Sequence, residues 1–394
     1  MGSICLHNGT VLTGFAAMER CAVLLEGAVV SDVFSQRRFE QRKFGSDVRL
    51  IDVNGAFIAP GFIDTHIHGF GGFGTDGSDS KMDLTDSVVE MSRLLARYGV
   101  TAFNPTLYPS EGAAMLEVVR KIAAAKGKES GARIMGLHLE GPFLSPERLG
   151  VQRPETLRPV DIGFMEQLWE ASSGRIVNMT VAPELKGMRE LALFCVKKGI
   201  VLQAGHTDAR YENMVEGMQV GILHSTHLFN AMSRLDHRNP NAVGAILIHP
   251  EMSCEIIADG YHVHPDLMKL IKRDKPIDKI VLVTDALKPT EQQEGPFFAN
   301  GEEVILREGV FHRKMDDVIA GSSLTMIRGV QNLVEYGFSI EEAVKTAGTN
   351  PAQVMRFNRK GTIIPGNDAD LVVFDSQFTI LATVVGGALK YNQL

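Results

Sequence analysis

The sequence predicts an α/β protein: a (β/α)8 TIM-type barrel with a small β-sandwich-like domain assembled from both termini. Three observations carry that reading. The middle of the chain alternates short apolar runs with amphipathic helical stretches, the pattern of a parallel sheet covered by helices. Both ends read instead as short strands broken by Gly, Asn and charged residues. Ionisable residues also fall at the C-terminal tips of five apolar runs, where barrel enzymes carry their active sites. A chain of 394 residues is long enough for one large domain and a smaller one. The expected division is 1–57 and 359–394 for the small β domain and 58–358 for the barrel.

The elements follow in order. SICLHNGTVLTG, CAVLLEGAVVSDVF and VRLIDVNGAFIAP supply the N-terminal strands, and ADLVVFD, FTILATVVGG and ALKYN the C-terminal ones. Chain ends often lie close together, which suits one domain built from both. Eight runs between them are candidate barrel strands: 62–68, 100–106, 133–140, 176–184, 200–206, 221–229, 254–259 and 279–285. Their near-continuous apolar character is that of strands buried on both faces. The stretch 82–99 places Leu84, Val88, Met91, Leu94 and Leu95 at helical spacing and ends at Gly99. After the eighth strand, EEVILREGVFHR reads as a strand pair turning at Glu308-Gly309. SIEEAVKTAGTN opens a late helix with a Ser339/Glu342 capping box, and Pro351 marks its end.

Composition excludes several functions. The net charge is −7, and no dense Lys/Arg run offers a nucleic-acid footprint. No run of 18 apolar residues provides a membrane span. The N-terminus lacks the basic start and apolar core of a signal peptide, and Leu6 stands where a myristoylation signal wants Ser or Thr. Cys5, Cys21, Cys195 and Cys254 have no CxxC spacing and read as buried free thiols of a reducing compartment. The expected location is the cytoplasm.

The chemistry-bearing residues sit at the strand tips. PGFIDTHIHG closes the first barrel strand, and alternate residues of a strand share a face, so His66 and His68 point the same way. They can share one divalent ion or bind adjacent ions. Glu140 ends GLHLEGP, His206 lies in QAGHTD and His227 in HSTHLFNAM. Imidazoles with a carboxylate suit Zn or Fe, and such a site also accepts Co or Mn. Asp285, ending VLVTDA, is a candidate general base or a further metal ligand, and the two roles can coexist. A bound ion would lower the pKa of water from about 15.7 toward roughly 7, making hydroxide available to attack. His138, His224 and His249 read as hydrogen-bonded structural histidines. Asn230, Ala231 and Arg238 after the sixth strand, and His262 in ADGYH after the seventh, read either as surface groups or as a handle for an anionic substrate.

Taken together, PGFIDTHIHG, GLHLEGPF, AGHTDA, THLFNAM, IADGYH, LVTDA and GSSLTM resemble, in order and over nearly the whole chain, the N-acetylglucosamine-6-phosphate deacetylases of the amidohydrolase superfamily. The resemblance implies a metal-dependent barrel that hydrolyses N-acetylglucosamine 6-phosphate to glucosamine 6-phosphate and acetate. It implies Glu140, His206 and His227 as common ligands, with His66 and His68 as extra ligands of two-metal members. It implies Asp285 as acid/base, and Asn230, the Ala231 amide, Arg238 and His262 as substrate and phosphate contacts. Homodimers in which the neighbouring subunit helps hold the phosphate are also implied. In GVQRP, Gln152 stands where some members have a sugar-contacting histidine; its amide can donate and accept. Two rivals remain at this point. A cyclic-amide hydrolase shares the fold and HxH but usually bridges its ions with a carboxylated lysine. A non-catalytic scaffold would have no use for the full ligand set.

Overall fold

The computed structural model describes residues 2–77 and 82–394; Met1 of the N-terminal segment lies outside the described residues. Eight parallel strands surround one axis: β1 Phe62–Ile67, β2 Val100–Leu107, β3 Leu137–Glu140, β4 Ile176–Val181, β5 Val201–Ala204, β6 His224–Ser225, β7 Ser253–Ile256 and β8 Ile280–Leu282. Each pairs with the next in chain order. The ring closes just past β8, where Asp285 N–H donates to the His66 carbonyl (2.9 Å) and His68 N–H to the Ala286 carbonyl (3.0 Å). Nearly every strand residue is buried, because helices cover the outside and side chains fill the inside.

All eight expected strands form, and most are shorter than the apolar runs that signalled them. The run 133–140 splits into Arg133–Ile134, paired with β2, and β3 itself. The run 221–229 contributes only two ladder residues. The tips leave the ladder to become the loops that carry the ionisable residues, so hydropathy continues where pairing stops.

The helix foreseen in 82–99 spans Leu84–Leu95, capped by the Asp83 side chain accepting from Thr85 N–H. It ends through a short 3-10 turn at Gly99, whose φ of 81° is left-handed. The Ser339/Glu342 capping box forms at the start of helix Ile340–Ala347. That helix breaks at Gly348, and Pro351 sits instead in the first turn of the next helix, Thr349–Val354. A proline is tolerated there because its missing N–H has no partner in the first turn.

The two ends build one eight-stranded sheet. Its centre is Ser3–Leu12, antiparallel to Ala17–Glu26 and parallel to Val48–Asp52 and Phe57–Pro60. Phe57–Pro60 in turn pairs antiparallel with Leu371–Phe374. Leu6, Val23, Ile58, Leu371 and Val384 fill a core separate from that of the barrel. Between β8 and its helix Met326–Glu335 lies a four-stranded sheet: Gly295–Ala299, Glu302–Arg307, Val310–Arg313 and Ile319–Ser322. The sequence shows its middle hairpin, where Glu308 and Gly309 take φ of 52° and 80°, as a tight two-residue hairpin turn requires. The outer strands contain Pro296 and the small residues Ala320 and Gly321, and carry no strand signal.

The terminal sheet meets the barrel at Gly61. Its N–H donates to the Asp370 carbonyl (2.9 Å), and an added Cβ would lie 2.1 Å from Thr101 Cγ2 on β2. Gly61→Ala is therefore expected to destabilise the protein by about 1–3 kcal/mol through overpacking. Urea unfolding of G61A and of G61A/T101A checks this: the double variant should recover part of the loss, and an unchanged midpoint in G61A would refute the close contact.

Candidate metal centre

The strand tips bring six ionisable side chains into one buried nest at the C-terminal mouth of the barrel. Glu140 is its hub. Glu140 Oε1 lies 3.1 Å from His206 Nε2 and 3.2 Å from His227 Nε2, and those two nitrogens are 3.2 Å apart. On the other side His66 Nε2 is 3.4 Å from Glu140 Oε1, and His68 Nε2 is 3.3 Å from Glu140 Oε2. Asp285 Oδ1 stands 3.4 Å from both His66 Nε2 and His68 Nε2. Two groups thus have ligand spacing, His66/His68/Glu140 and Glu140/His206/His227.

These residues fit a divalent ion. Donors bound at about 2.0–2.1 Å around a tetrahedral ion stand about 3.3–3.4 Å from one another, close to the edges seen here. Two imidazole nitrogens facing each other at 3.2 Å make a poor hydrogen bond but a natural pair of ligands. His66 Nε2 is buried with no hydrogen-bond partner and faces the two carboxylates.

The local backbone explains how each tip presents its ligand. His206 and Asp285 have left-handed φ of 47° and 50°, and Phe229 and Ala231, just past His227, have 77° and 49°. Such conformations cost on the order of 1–3 kcal/mol each and persist only where surrounding bonds hold them. Asp285 is held by its N–H to the His66 carbonyl and by its carbonyl accepting from Ser322 N–H (3.0 Å). His206 is held by its carbonyl accepting from Ser145 N–H (2.9 Å). Before it, Gly205 leaves room for Thr226 and Thr180, whose atoms would lie within 2.9 Å of an added Cβ.

A layer of polar side chains fills the barrel beneath the nest. His138 bridges Thr106 (3.1 Å) and Thr180 (2.9 Å). His224 bonds Ser253 (2.8 Å); outside the barrel, at the end of helix Asn241–Ile248, the partly exposed His249 bonds Tyr211 (2.9 Å). All three are hydrogen-bonded, as the sequence suggested. The sequence reading missed Glu255, whose Oε2 lies 2.9 Å from His66 Nδ1 and whose Oε1 accepts from Gln203 Nε2 (2.9 Å). Its signal was a carboxylate within the apolar run CEIIAD, inside the strand instead of at the tip, where Asp259 stands. Also missed were Tyr108, stacked on His68 at 3.8 Å, Asp64, which accepts from Thr284, and Asp259, 2.6 Å from His262 Nδ1.

Burial opposes charge throughout the nest, and the charged groups offset it among themselves. Burial pushes Glu140 up, but the charge of His206 first, then hydrogen bonds from His206 and His227, hold its carboxyl well below the usual range. Asp285 is likewise lowered against burial, chiefly by His66 and His68. Burial opposes protonation of His66, yet Asp285 and Glu255 raise it well above the ordinary value, and His68 is raised by Asp285 and Glu140. His138 moves the other way, lowered by burial and by His66. Asp64, fully buried, is pushed up to about 7.

A cavity of about 270 Å³ opens over the nest, lined by His68, Tyr108, Glu140, Gly150–Gln152, His206, His227, Asn230, Ala231, His262, Asp285 and Val318–Gly321. Gln152 reaches it with Nε2 donating to Glu140 Oε2 (2.7 Å), while its Oε1 has no partner. Asn230 Nδ2 donates to the Leu228 carbonyl (3.2 Å). Arg238 does not line this cavity: it is exposed on the loop before helix Asn241–Ile248, its N–H capped by Asp236. Among the described residues no Lys or Arg lines the cavity. The four cysteines are free and buried. Among the described residues no helix is long and apolar enough to cross a membrane.

A parallel barrel with His/Glu ligand groups at its mouth defines a metal-dependent hydrolase class, and the amidohydrolase family model matches residues 57–392. N-acetylglucosamine-6-phosphate deacetylase from Bacillus subtilis is 34% identical over 340 residues, 85% of this chain and 84% of that one. The human protein of the same name is 34% identical over 364 residues, 90% of this chain and 88% of that one. Among solved structures, a variant of the Mycobacterium smegmatis deacetylase in complex with N-acetyl-D-glucosamine-6-phosphate superposes with a TM-score of 0.90 at 27% identity, covering 100% of both chains. This chain belongs to the N-acetylglucosamine-6-phosphate deacetylase family of amidohydrolases, and it is a hydrolase.

The raised imidazoles give a pH signature to the metal-stripped protein. His66 and His68 have folded pKa values above 6.5. The stability they contribute is fully present below about pH 6.5 and is lost as pH rises through the raised values. His138, being lowered, titrates only below that window, and the buried thiols act only above about 9. The thermal midpoint of stripped protein should fall between pH 6.5 and about 9, and excess Zn should reverse the fall, because neutral imidazoles are better ligands. A stripped-protein midpoint that rises over this interval would contradict these electrostatics.

Proposed function

We propose that this chain hydrolyses the acetamido group of N-acetylglucosamine 6-phosphate, giving glucosamine 6-phosphate and acetate in amino-sugar breakdown. The observation that carries the reading is Asp285, a carboxylate held in its ionised form that faces His66 and His68 and lines the cavity with His262 and Asn230. The family's relatives, and the N-acetyl-D-glucosamine-6-phosphate bound in the Mycobacterium smegmatis structure, support the substrate.

Glu140, His206 and His227 would hold one divalent ion, and His66 and His68, with Glu140 and Asp285, a second. Zn or Fe suits these donors best, with Co or Mn as further candidates. Such an ion supplies Lewis acidity and an acidified water at neutral pH. Asp285 accepts the proton of the attacking water and returns it to the amine nitrogen as the C–N bond breaks. Its lowered pKa keeps it ionised and ready to accept. His262, gripped at Nδ1 by Asp259, offers Nε2 to the acetyl oxygen as negative charge develops there. Asn230, the Ala231 amide and Gln152 contact the sugar. Among the described residues no Lys or Arg lines the cavity to meet the phosphate, and Arg238 is exposed on a loop outside it. This supports a homodimer in which Arg238 serves the neighbouring copy's site.

We also assign residues 1–60 and 359–394 to the small β domain and 61–358 to the barrel, three residues past the expected boundary because Phe57–Pro60 pairs within the terminal sheet, and we assign the protein to the cytoplasm, with its buried free thiols in support. Against the rival cyclic-amide reading, the third strand ends in Glu140, where a carboxylated lysine would be the usual bridge.

Acetate release from phosphorylated and unphosphorylated N-acetylglucosamine, with metal analysis of the same sample, tests the proposal. Strong preference for the phosphorylated sugar is expected; equal rates would refute the phosphate handle. Asp285→Asn should lower kcat by roughly 10²–10⁴-fold while retaining the Glu140/His206/His227 ion. Near-wild-type acetate release by that variant would sink the proton-transfer role.

A further inference from the structure

We infer that Glu255 is a positioning residue that fixes His66 as a metal ligand and so governs occupancy of the His66/His68 site. The inference rests on the two-ion reading above. Glu255 lies on β7 with no exposed surface, at the floor of the nest. Its Oε2 is 2.9 Å from His66 Nδ1 and also accepts from His227 N–H (3.3 Å). Its Oε1 accepts from Gln203 Nε2 (2.9 Å), and His224 Nε2 is 3.7 Å away. None of these partners is a lysine or arginine. A fully buried carboxylate without such a partner requires a positive charge close by.

A bound ion would supply that charge. Glu255 accepts the Nδ1–H of His66, which leaves the Nε2 lone pair for the ion. Nε2 is the buried nitrogen with no hydrogen-bond partner, 3.4 Å from Glu140 Oε1 and Asp285 Oδ1. Glu255 therefore aims His66 at the second ion and strengthens it as a donor. Its own orientation is fixed in turn. Asn178 Nδ2 donates to Gln203 Oε1 (2.6 Å) and Asn104 Nδ2 to Asn178 Oδ1 (3.1 Å), which leaves Gln203 Nε2 turned toward Glu255.

The other imidazoles are supported differently. His206 Nδ1 is held by the Arg148 and Leu149 carbonyls at 3.2 and 3.0 Å, whereas Nδ1 of His68 and of His227 is buried without a partner. Perturbing Glu255 thus strikes the His66/His68 ion selectively, since its link to His227 is through the backbone N–H alone. Loss of a carboxylate behind a ligating imidazole typically weakens metal affinity about 10–100-fold.

The test uses metal-stripped full-length protein, titrated with Zn by calorimetry and checked by elemental analysis after dialysis. Wild type should bind two ions per chain. Glu255→Gln should weaken one by about 10–100-fold and leave the other within about threefold. Glu255→Asp keeps the charge but shortens its reach, and should show the same selective loss; it carries the test if E255Q does not fold. Wild type with two ions and either folded variant with unchanged affinities would overturn the role of Glu255. Equal weakening of both ions would also overturn it, as a merely structural effect. Wild type saturating at one ion would overturn the two-ion reading itself, and this inference with it.

Discussion

Six ionisable side chains share a space from which water is nearly excluded, and the Glu140 carboxylate stands among all four imidazoles. An isolated charge in such a place is strongly destabilising. The arrangement therefore holds only as a set, each carboxylate against imidazoles and each imidazole against carboxylates. Much of the surrounding fold serves that requirement. The left-handed residues at the tips of β5 and β8 aim their side chains inward. The Thr, Asn and Gln side chains below supply hydrogen bonds to groups that water cannot reach, and the closure of β8 onto β1 runs through the backbone of Asp285 and His66 themselves.

The architecture was legible because its signals are periodic and redundant. Eight apolar runs separated by helical stretches, five of them ending in ionisable residues, report one arrangement many times over. What sequence could not show was decided by tertiary context. Where pairing stops within a continuing apolar run, as in 221–229, depends on the neighbouring strands. The outer strands of the four-stranded sheet owe their conformation to the hairpin between them.

For the candidate site, His66, His68, Glu140, His206, His227 and Asp285 were readable as candidates from their repeated place at the ends of apolar runs, and the fold brings them together. Glu255, Tyr108 and Asp259 were not, because each acts on another side chain: Glu255 from mid-strand on His66, Tyr108 by stacking on His68, and Asp259 through His262. Gln152 was legible as a cavity residue, but its bond to Glu140 was not. Arg238 stood close to Asn230 in sequence, yet the loop carries it to the surface, since eight residues are enough to leave the mouth of the barrel.

The terminal sheet has a consequence for how the chain is made. Phe57–Pro60 finds its antiparallel partner only in Leu371–Phe374. At about 5–20 residues per second, roughly 300 intervening residues take on the order of 15–60 s to synthesise. Throughout that interval the N-terminal strands present an open edge with apolar residues such as Ile58 beside it, a template for wrong pairing. The barrel is nearly all translated before that edge can be covered. The last two dozen residues thus act as a latch, closing a surface that has waited for almost the whole of synthesis.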